Sequence, residues 1–151
     1  MGKSRRIKGV YVLLMKSLIE FDLNIGMLGR HRIPRGYLIY VGSGLNGLLN
    51  RIDRHFRREK KRKWHIDYLT VNPNIVIFNA IYAETREKME CIVSEEIFKS
   101  GFTPIIKKFG STDCKKCFSH LYYSKKNPTQ NILKVFRKIG LKPILWKKIN
   151  N

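Results

Sequence analysis

Residues 7–15 constrain this chain most. From Gly9 to Met15 the sequence is glycine, three aliphatic types and one tyrosine without a charge, and Lys16 closes the run. β-branched and aromatic side chains dominate, and the run is too continuous to leave one face of a strand wet. It predicts a strand central in a sheet and covered on both sides. The run is too short for a bilayer, which takes about 18–20 apolar residues. Lys3, Arg5 and Arg6 imitate a signal-peptide start, but no small-residue cleavage site follows. The expectation is a soluble protein with no membrane partner. At 151 residues, with 43% apolar and 11% aromatic side chains, the chain is also too hydrophobic for a disordered basic tail. It predicts a single domain, 1–151. Its three cysteines are an odd number and no disulfide framework, which favours a reducing cytoplasm, or a nucleoid-associated place in a prokaryote.

The charge balance then asks for a partner. Thirty-one Lys and Arg against 11 Asp and Glu leave a formal charge of +20. Eight of these cations fall between residues 51 and 63: Arg51, Arg54, Arg57, Arg58, Lys60, Lys61, Arg62 and Lys63, opposed by Asp53 and Glu59. A membrane-surface helix would set large apolar residues opposite the charges, and between Phe56 and Trp64 there are none. Phosphate backbones fit better, so Arg54, Arg57, Arg58, Lys60, Lys61, Arg62 and Lys63, with Trp64 for stacking, are the candidate nucleic-acid contacts. A solvated surface loop is the competing reading of the run.

Along the chain, residues 20–25 alternate polar and apolar, and Gly26, Gly29, Pro34 and Gly36 lead to a second apolar run at 37–41, as in a hairpin or meander. A helix over 45–58 follows, with Leu48, Leu49, Ile52 and Phe56 as its core stripe and Arg51 and His55, four apart, on one face. Residues 64–71 and 75–83 read as extended. A second helix begins near Thr85, carries Met89, Ile92, Val93 and Ile97 inward and stops at Gly101, with Glu90 beside the stripe. Residues 105–109 are a short strand candidate, 110–120 a polar loop, and 121–123 extended. A last amphipathic helix opens at Asn127 and Pro128 and ends at Gly140. The architecture expected is α+β, a small, mostly antiparallel central sheet flanked by helices.

Gly9-Val10-Tyr11 and Tyr40-Val41-Gly42 on two strands, followed by a helix bearing Arg51 and His55 and a later one bearing Glu90, resemble the GIY-YIG nuclease superfamily. Residues 36–43, Arg51-x-x-Arg54-His55, residues 64–69, Glu90-Cys91, Phe109-Gly110-Ser111-x-Asp113-Cys114 and Ser119-His120-Leu121 are similar to its DUF123 branch. The resemblance covers about residues 7–123 and leaves 124–151 as a C-terminal helical extension, to complete the core or form a dimer contact. It implies a metal-dependent DNA endonuclease, with RNA the other candidate substrate, serving repair or mobile-element processing as a monomer or homodimer. Tyr11 would orient or deprotonate water, Tyr40 hold the hydrogen-bond network, and Arg51 bind the scissile phosphate. His55 would donate to phosphate or help deprotonate the nucleophile, and Glu90 would hold one Mg²⁺ or Mn²⁺. Tyr11 needs help, since a phenol near pKa 10 is a poor base; Arg51 or metal-bound solvent would have to favour the phenolate.

His65 and Asp67 belong to the resemblance without a firm role, as a polar edge near the groove or as structural caps. Cys114-x-x-Cys117-x-x-His120 has the residue types of a zinc knuckle, yet a closed tetrahedral site needs a fourth ligand from Cys91, His65 or Asp113. The reading taken is a hydrogen-bonded polar loop beside the site, without zinc. Lys134, Arg137, Lys138, Lys142, Lys147 and Lys148 extend the positive surface. From the other functional class, a non-catalytic basic DNA- or RNA-binding protein explains the charge, but it has no need for Tyr11, Tyr40, Arg51 and Glu90 together.

Overall fold

The structure is a computed structural model and describes residues 6–112 and 114–146; Asp113, Lys147 and Lys148 lie outside the described residues. The run read as a central strand becomes β1 (Gly9–Ser17), every residue of it buried except Lys16. It pairs antiparallel with β4 (Gly36–Gly44) on one side and β5 (Ile75–Glu84) on the other. A β-hairpin, β2 (Phe21–Asn24) and β3 (Arg30–Ile33), forms a separate two-stranded sheet between β1 and β4 in the chain, as the alternation at 20–25 predicted. Three short strands, β6 (Thr103–Pro104), β7 (Leu121–Ser124) and β8 (Ile144–Leu145), complete an antiparallel six-stranded sheet of order β6-β7-β4-β1-β5-β8.

Because side chains alternate along a strand, β1 serves two cores. Tyr11, Leu13 and Met15 join Leu38 and Tyr40 of β4 on the face covered by α1 (Leu48–Phe56) and α2 (His65–Thr70). Val10, Val12 and Leu14 join Ile39 and Val41 on the opposite face, under α3 (Glu90–Lys99) and α4 (Thr129–Lys138). The fold is therefore α+β as expected, an antiparallel sheet flanked by four helices. The last helix, placed beyond the motif-bearing core by sequence, buries Ile132, Leu133, Val135 and Phe136 against the sheet and completes the second core.

Three local expectations are corrected. Residues 64–71, read as extended, hold α2 instead. Trp64, Ile66, Tyr68 and Val71 carry strand preference, but Ile66, Leu69 and Thr70 are buried at helical spacing, and Asp67 reaches back to the amides of Lys63 (2.8 Å) and Trp64 (2.9 Å) at the helix start. Residues 105–109 are not a strand. Ile106 and Lys108 take φ of +58° and +65°, and the run turns so that buried Phe109 plugs the core against Tyr40. The α3 helix starts at Glu90 rather than near Thr85, whose hydroxyl accepts from Glu87 N–H in the turn before it.

Asp67 also ties α2 to α1. Its two oxygens accept from Arg54 at 2.9 and 3.0 Å, a bidentate pair with the carboxylate fully buried and the guanidinium 21% exposed. Burial alone would push the Asp67 carboxyl up, but the Arg54 hydrogen bonds and the Trp64 and Lys63 amides outweigh it and hold the carboxyl below its ordinary range. With the folded value depressed, the pair's contribution is complete above the unfolded value of about 3.9 and is lost as pH falls through the folded value. Asp67→Asn leaves Arg54 without its counter-charge and should lower unfolding stability by about 3 kcal/mol at pH 7. The loss should shrink in urea titrations at pH 3. A loss equal at both pH values would show that the charge pair is not what holds α1 to α2.

Candidate functional site

The register across β1 and β4 sets Tyr11 opposite Gly42. A Cβ on Gly42 would lie 2.5 Å from the Tyr11 phenol, so the second tripeptide ends in glycine to leave that ring its space. Tyr11 is 2% exposed, and its hydroxyl lies 2.6 Å from Nε2 of His55. His55 is fully buried, on the α1 stripe with Leu48 and Ile52. Sequence reading set it on one face with Arg51, either donating to a phosphate or helping to deprotonate the nucleophile. The packing places it instead behind Tyr11, because residues 48, 52 and 55 follow the helix repeat that faces the sheet.

Burial, reinforced by the Lys60 charge, pushes the His55 imidazole down to about 3, so the ring is neutral at ordinary pH. A neutral ring can accept the Tyr11 proton at Nε2, which puts its own proton on Nδ1. Tyr11 itself is held well above the ordinary phenol value by burial and then by Tyr40. Arg51 pulls in the direction the sequence suggested, but less strongly, so the resting group is a phenol and not a phenolate. Burial and the Glu90 charge likewise raise Tyr40, whose ring packs edge-on to His55 and Phe109.

Arg51, half-buried one turn before His55, donates from an Nη to the Ser43 carbonyl at 2.7 Å, and its guanidinium stands 4.6 Å from the centre of the Trp64 ring. Glu90, the first residue of α3, accepts from the Ser43 hydroxyl at 2.6 Å through Oε1. Its Oε2 is 2.7 Å from His120 Nδ1. Ser43 thus links the guanidinium to the carboxylate. Its place directly after Tyr40-Val41-Gly42 was the only signal in the sequence, and no role was read there. A cavity of about 430 Å³ is lined by Tyr11, Tyr40, Arg51 and Glu90 together, with Lys63 and Trp64 on its rim. His65 also lines it, and accepts the Gly110 amide at Nδ1 (3.1 Å), which fixes the loop opposite.

The basic run divides into side chains that hydrogen-bond within the fold and side chains that, among the described residues, do not, of which Arg62 and Lys63 stand over the Tyr68 and Trp64 rings at 5.3 and 5.4 Å. Arg54 is committed to Asp67, Lys60 donates to the last carbonyls of α1 at Arg54 and His55, and Arg58 donates to the Asn72 carbonyl. Trp64, expected to stack on bases, has the Arg51 and Arg54 guanidiniums 4.6 and 4.4 Å from its ring centre. It positions the arginines. Arg57, Lys61, Arg62 and Lys63 are exposed.

The cysteine loop folds against the start of α3. Ligand atoms of Cys91, Cys114, Cys117 and His120 all lie within 4.8 Å of one another. Cys91 and Cys114 are paired as a disulfide and Cys117 is free. Of the fourth partners named from sequence, Cys91 is in the group and His65 lies in the cavity wall.

Among the described residues no helix is long and apolar enough to cross a membrane. No curated protein and no solved structure matches the sequence. A family model does: DUF123, described as a domain of unknown function, matches residues 10–141, from β1 to beyond the end of α4. That span takes in Val10 and Tyr11 of the first tripeptide, the whole of the second, the α1 pair, Glu90, the cysteine loop and the last helix, and the chain belongs to the DUF123 family.

Proposed function

We propose that this protein is a metal-dependent endonuclease that hydrolyses phosphodiester bonds of DNA. The observation that carries the reading is the cavity in which Tyr11, Tyr40, Arg51 and Glu90 meet, with Tyr11 backed by a neutral His55. The exposed cations Arg57, Lys61, Arg62 and Lys63 lie in the chain segment that leads into it. The preference for DNA rests on the resemblance to GIY-YIG nucleases, as does a role in repair or processing.

The chemistry follows from the placement of each group. Arg51 is held by the Ser43 carbonyl and Trp64, and its remaining N–H groups are available to phosphate oxygens. An attacking water in the cavity would lose its proton to the Tyr11 oxygen while the phenol proton passes transiently to His55 Nε2. The water oxygen bonds to phosphorus as the P–O bond to the leaving sugar oxygen breaks. The proton, which His55 cannot keep, returns through Tyr11 to that leaving oxygen or to solvent. The phenol then never has to become a free phenolate in a dry pocket. Tyr40 excludes water from beside that pair. Glu90 is the one carboxylate in the cavity lining among the described residues, and carboxylate and hydroxyl oxygens suit a hard cation such as Mg²⁺ or Mn²⁺, which commonly takes few protein ligands. When bound, such a cation offsets charge on the phosphate and the leaving oxygen.

Supercoiled plasmid and branched or flap DNA, incubated with Mg²⁺ or Mn²⁺, test the reading. Tyr11→Phe should lower the cleavage rate by about 10²–10⁴-fold, Arg51→Ala by about 10²–10³-fold, and Glu90→Gln should abolish metal-dependent cleavage. His55 itself should contribute no inflection to the rate near pH 6.5, the ordinary histidine value, because it stays neutral far below it. Wild-type protein that binds but never cuts, or variants as fast as wild type, would leave the non-catalytic binder as the correct reading. Replacing the four exposed cations Arg57, Lys61, Arg62 and Lys63 by Gln should reduce the log–log salt slope of duplex binding by about 3.6 if all four meet phosphates. The same exchange at Lys60 should instead destabilise the fold, since that ammonium caps α1. An unchanged slope in the fourfold variant would remove the loop from the interface.

A further inference from the structure

We propose that Cys91, Cys114, Cys117 and His120 form a tetrahedral zinc site that closes the 110–120 loop onto the start of α3. The four residues come from two places far apart in sequence, and folding brings one ligand atom of each within 4.8 Å of all the others. With Zn–S bonds of about 2.3 Å, ligand atoms around tetrahedral zinc stand about 3.8 Å apart. The wider pairs need to close by about an ångström at most, and the Cys91 and Cys114 sulfurs, joined to each other here, must be released and move apart, to hold the ion.

Two further observations point to a ligand. His120 is 1% exposed and its Nε2 has no hydrogen-bond partner among the described residues. Leaving a buried ring nitrogen unpaired costs about 1–3 kcal/mol, and a metal bond would remove that cost. Its other nitrogen, Nδ1, makes no aligned hydrogen bond either, although the Glu90 carboxylate stands 2.7 Å from it. A carboxylate that close is placed to pair with the second nitrogen of a zinc-bound histidine once the ring turns to meet the ion. A disulfide between Cys91 and Cys114 accounts for neither the nearby Cys117 sulfur nor the unpartnered imidazole nitrogen. Zinc accounts for both.

The binding step is balanced by protons. Three thiols release three protons to solvent as their sulfurs bind Zn²⁺, and neutral His120 contributes its lone pair. Where Cys91 and Cys114 are joined, a dithiol reductant first supplies two electrons and two protons, and is itself oxidised to a disulfide.

The test needs the full chain, expressed with zinc and purified under a phosphine reductant. Elemental analysis should find about one zinc per chain. Cys117→Ala and His120→Ala should each lower the content at least about tenfold, although both leave Cys91 and Cys114 able to pair. Tyr11→Phe should keep its zinc, so the metal reading and the nuclease reading fail separately. Should the loop variants not fold, the wild type still decides. After chelation, cobalt(II) added back to the reduced protein should give the intense visible bands of a tetrahedral thiolate site. Reduced wild-type protein with less than about a tenth of an equivalent of zinc and no such bands, or loop variants with wild-type zinc, would overturn the proposal.

Discussion

A hydroxyl on a strand without a wet face must find its partner inside the protein, and much of this molecule is arranged around that requirement. With β1 buried on both sides, Tyr11 cannot turn to solvent, and an unpartnered hydroxyl there would cost about 1–3 kcal/mol. His55 meets the need from the core side of α1, and the same dryness that demands the bond keeps the imidazole neutral and able to accept it. The pair is thus a consequence of sheet topology as much as of the two residue types. Gly42, facing Tyr11 across the ladder, is the third element, since only an absent side chain leaves the phenol in place.

The positive charge has two uses that composition could not separate. A chain with +20 formal charge invites the view that each cation awaits a phosphate. Yet Arg54 is enclosed with a buried carboxylate, Lys60 closes the end of α1, and Arg58 holds the turn after α2. The half-buried Lys60 ammonium is pushed down to about 8 mainly by its burial, as befits a group taken partly out of water. These three fix the backbone of the loop. The outward cations between them are then presented from a constrained segment, which reduces the ordering cost on contact with a charged strand.

The sheet and three of its helices were legible because their signals are local and repetitive. The β1 run has no polar interruption, and the stripes of α1 and α4 recur at helical spacing; of the α3 stripe, Val93 and Ile97 are buried, whereas Ile92 is 45% exposed and Met89 precedes the helix. The α2 helix was not, because at six residues its period barely repeats, and tryptophan, isoleucine, tyrosine and valine prefer strands when judged one at a time. Its signal was the carboxylate three residues after Trp64, which reads as a charge in sequence and as a helix start only once the amides point at it. The gathering of Tyr11, Tyr40, Arg51 and Glu90 was implied by the resemblance that their order along the chain carries, and by no one of them alone. That His55 would turn inward behind Tyr11 depended on which way α1 is rotated against the sheet. Ser43, Cys91 and His65 found their roles through contacts 47, 26 and 45 residues away, respectively with Glu90, Cys117 and Gly110, and no local pattern records such pairings.

The partition of the basic segment has a consequence for how such a protein can diversify. Anchoring and, in the proposed reading, contact with phosphates reside on different side chains of one short stretch, so the outer positions are free to drift in length, charge and shape while the backbone beneath them stays put. A lineage carrying this scaffold can retune what it holds by changes at Arg57, Lys61 and Arg62 alone, without disturbing the dry pair of rings next door.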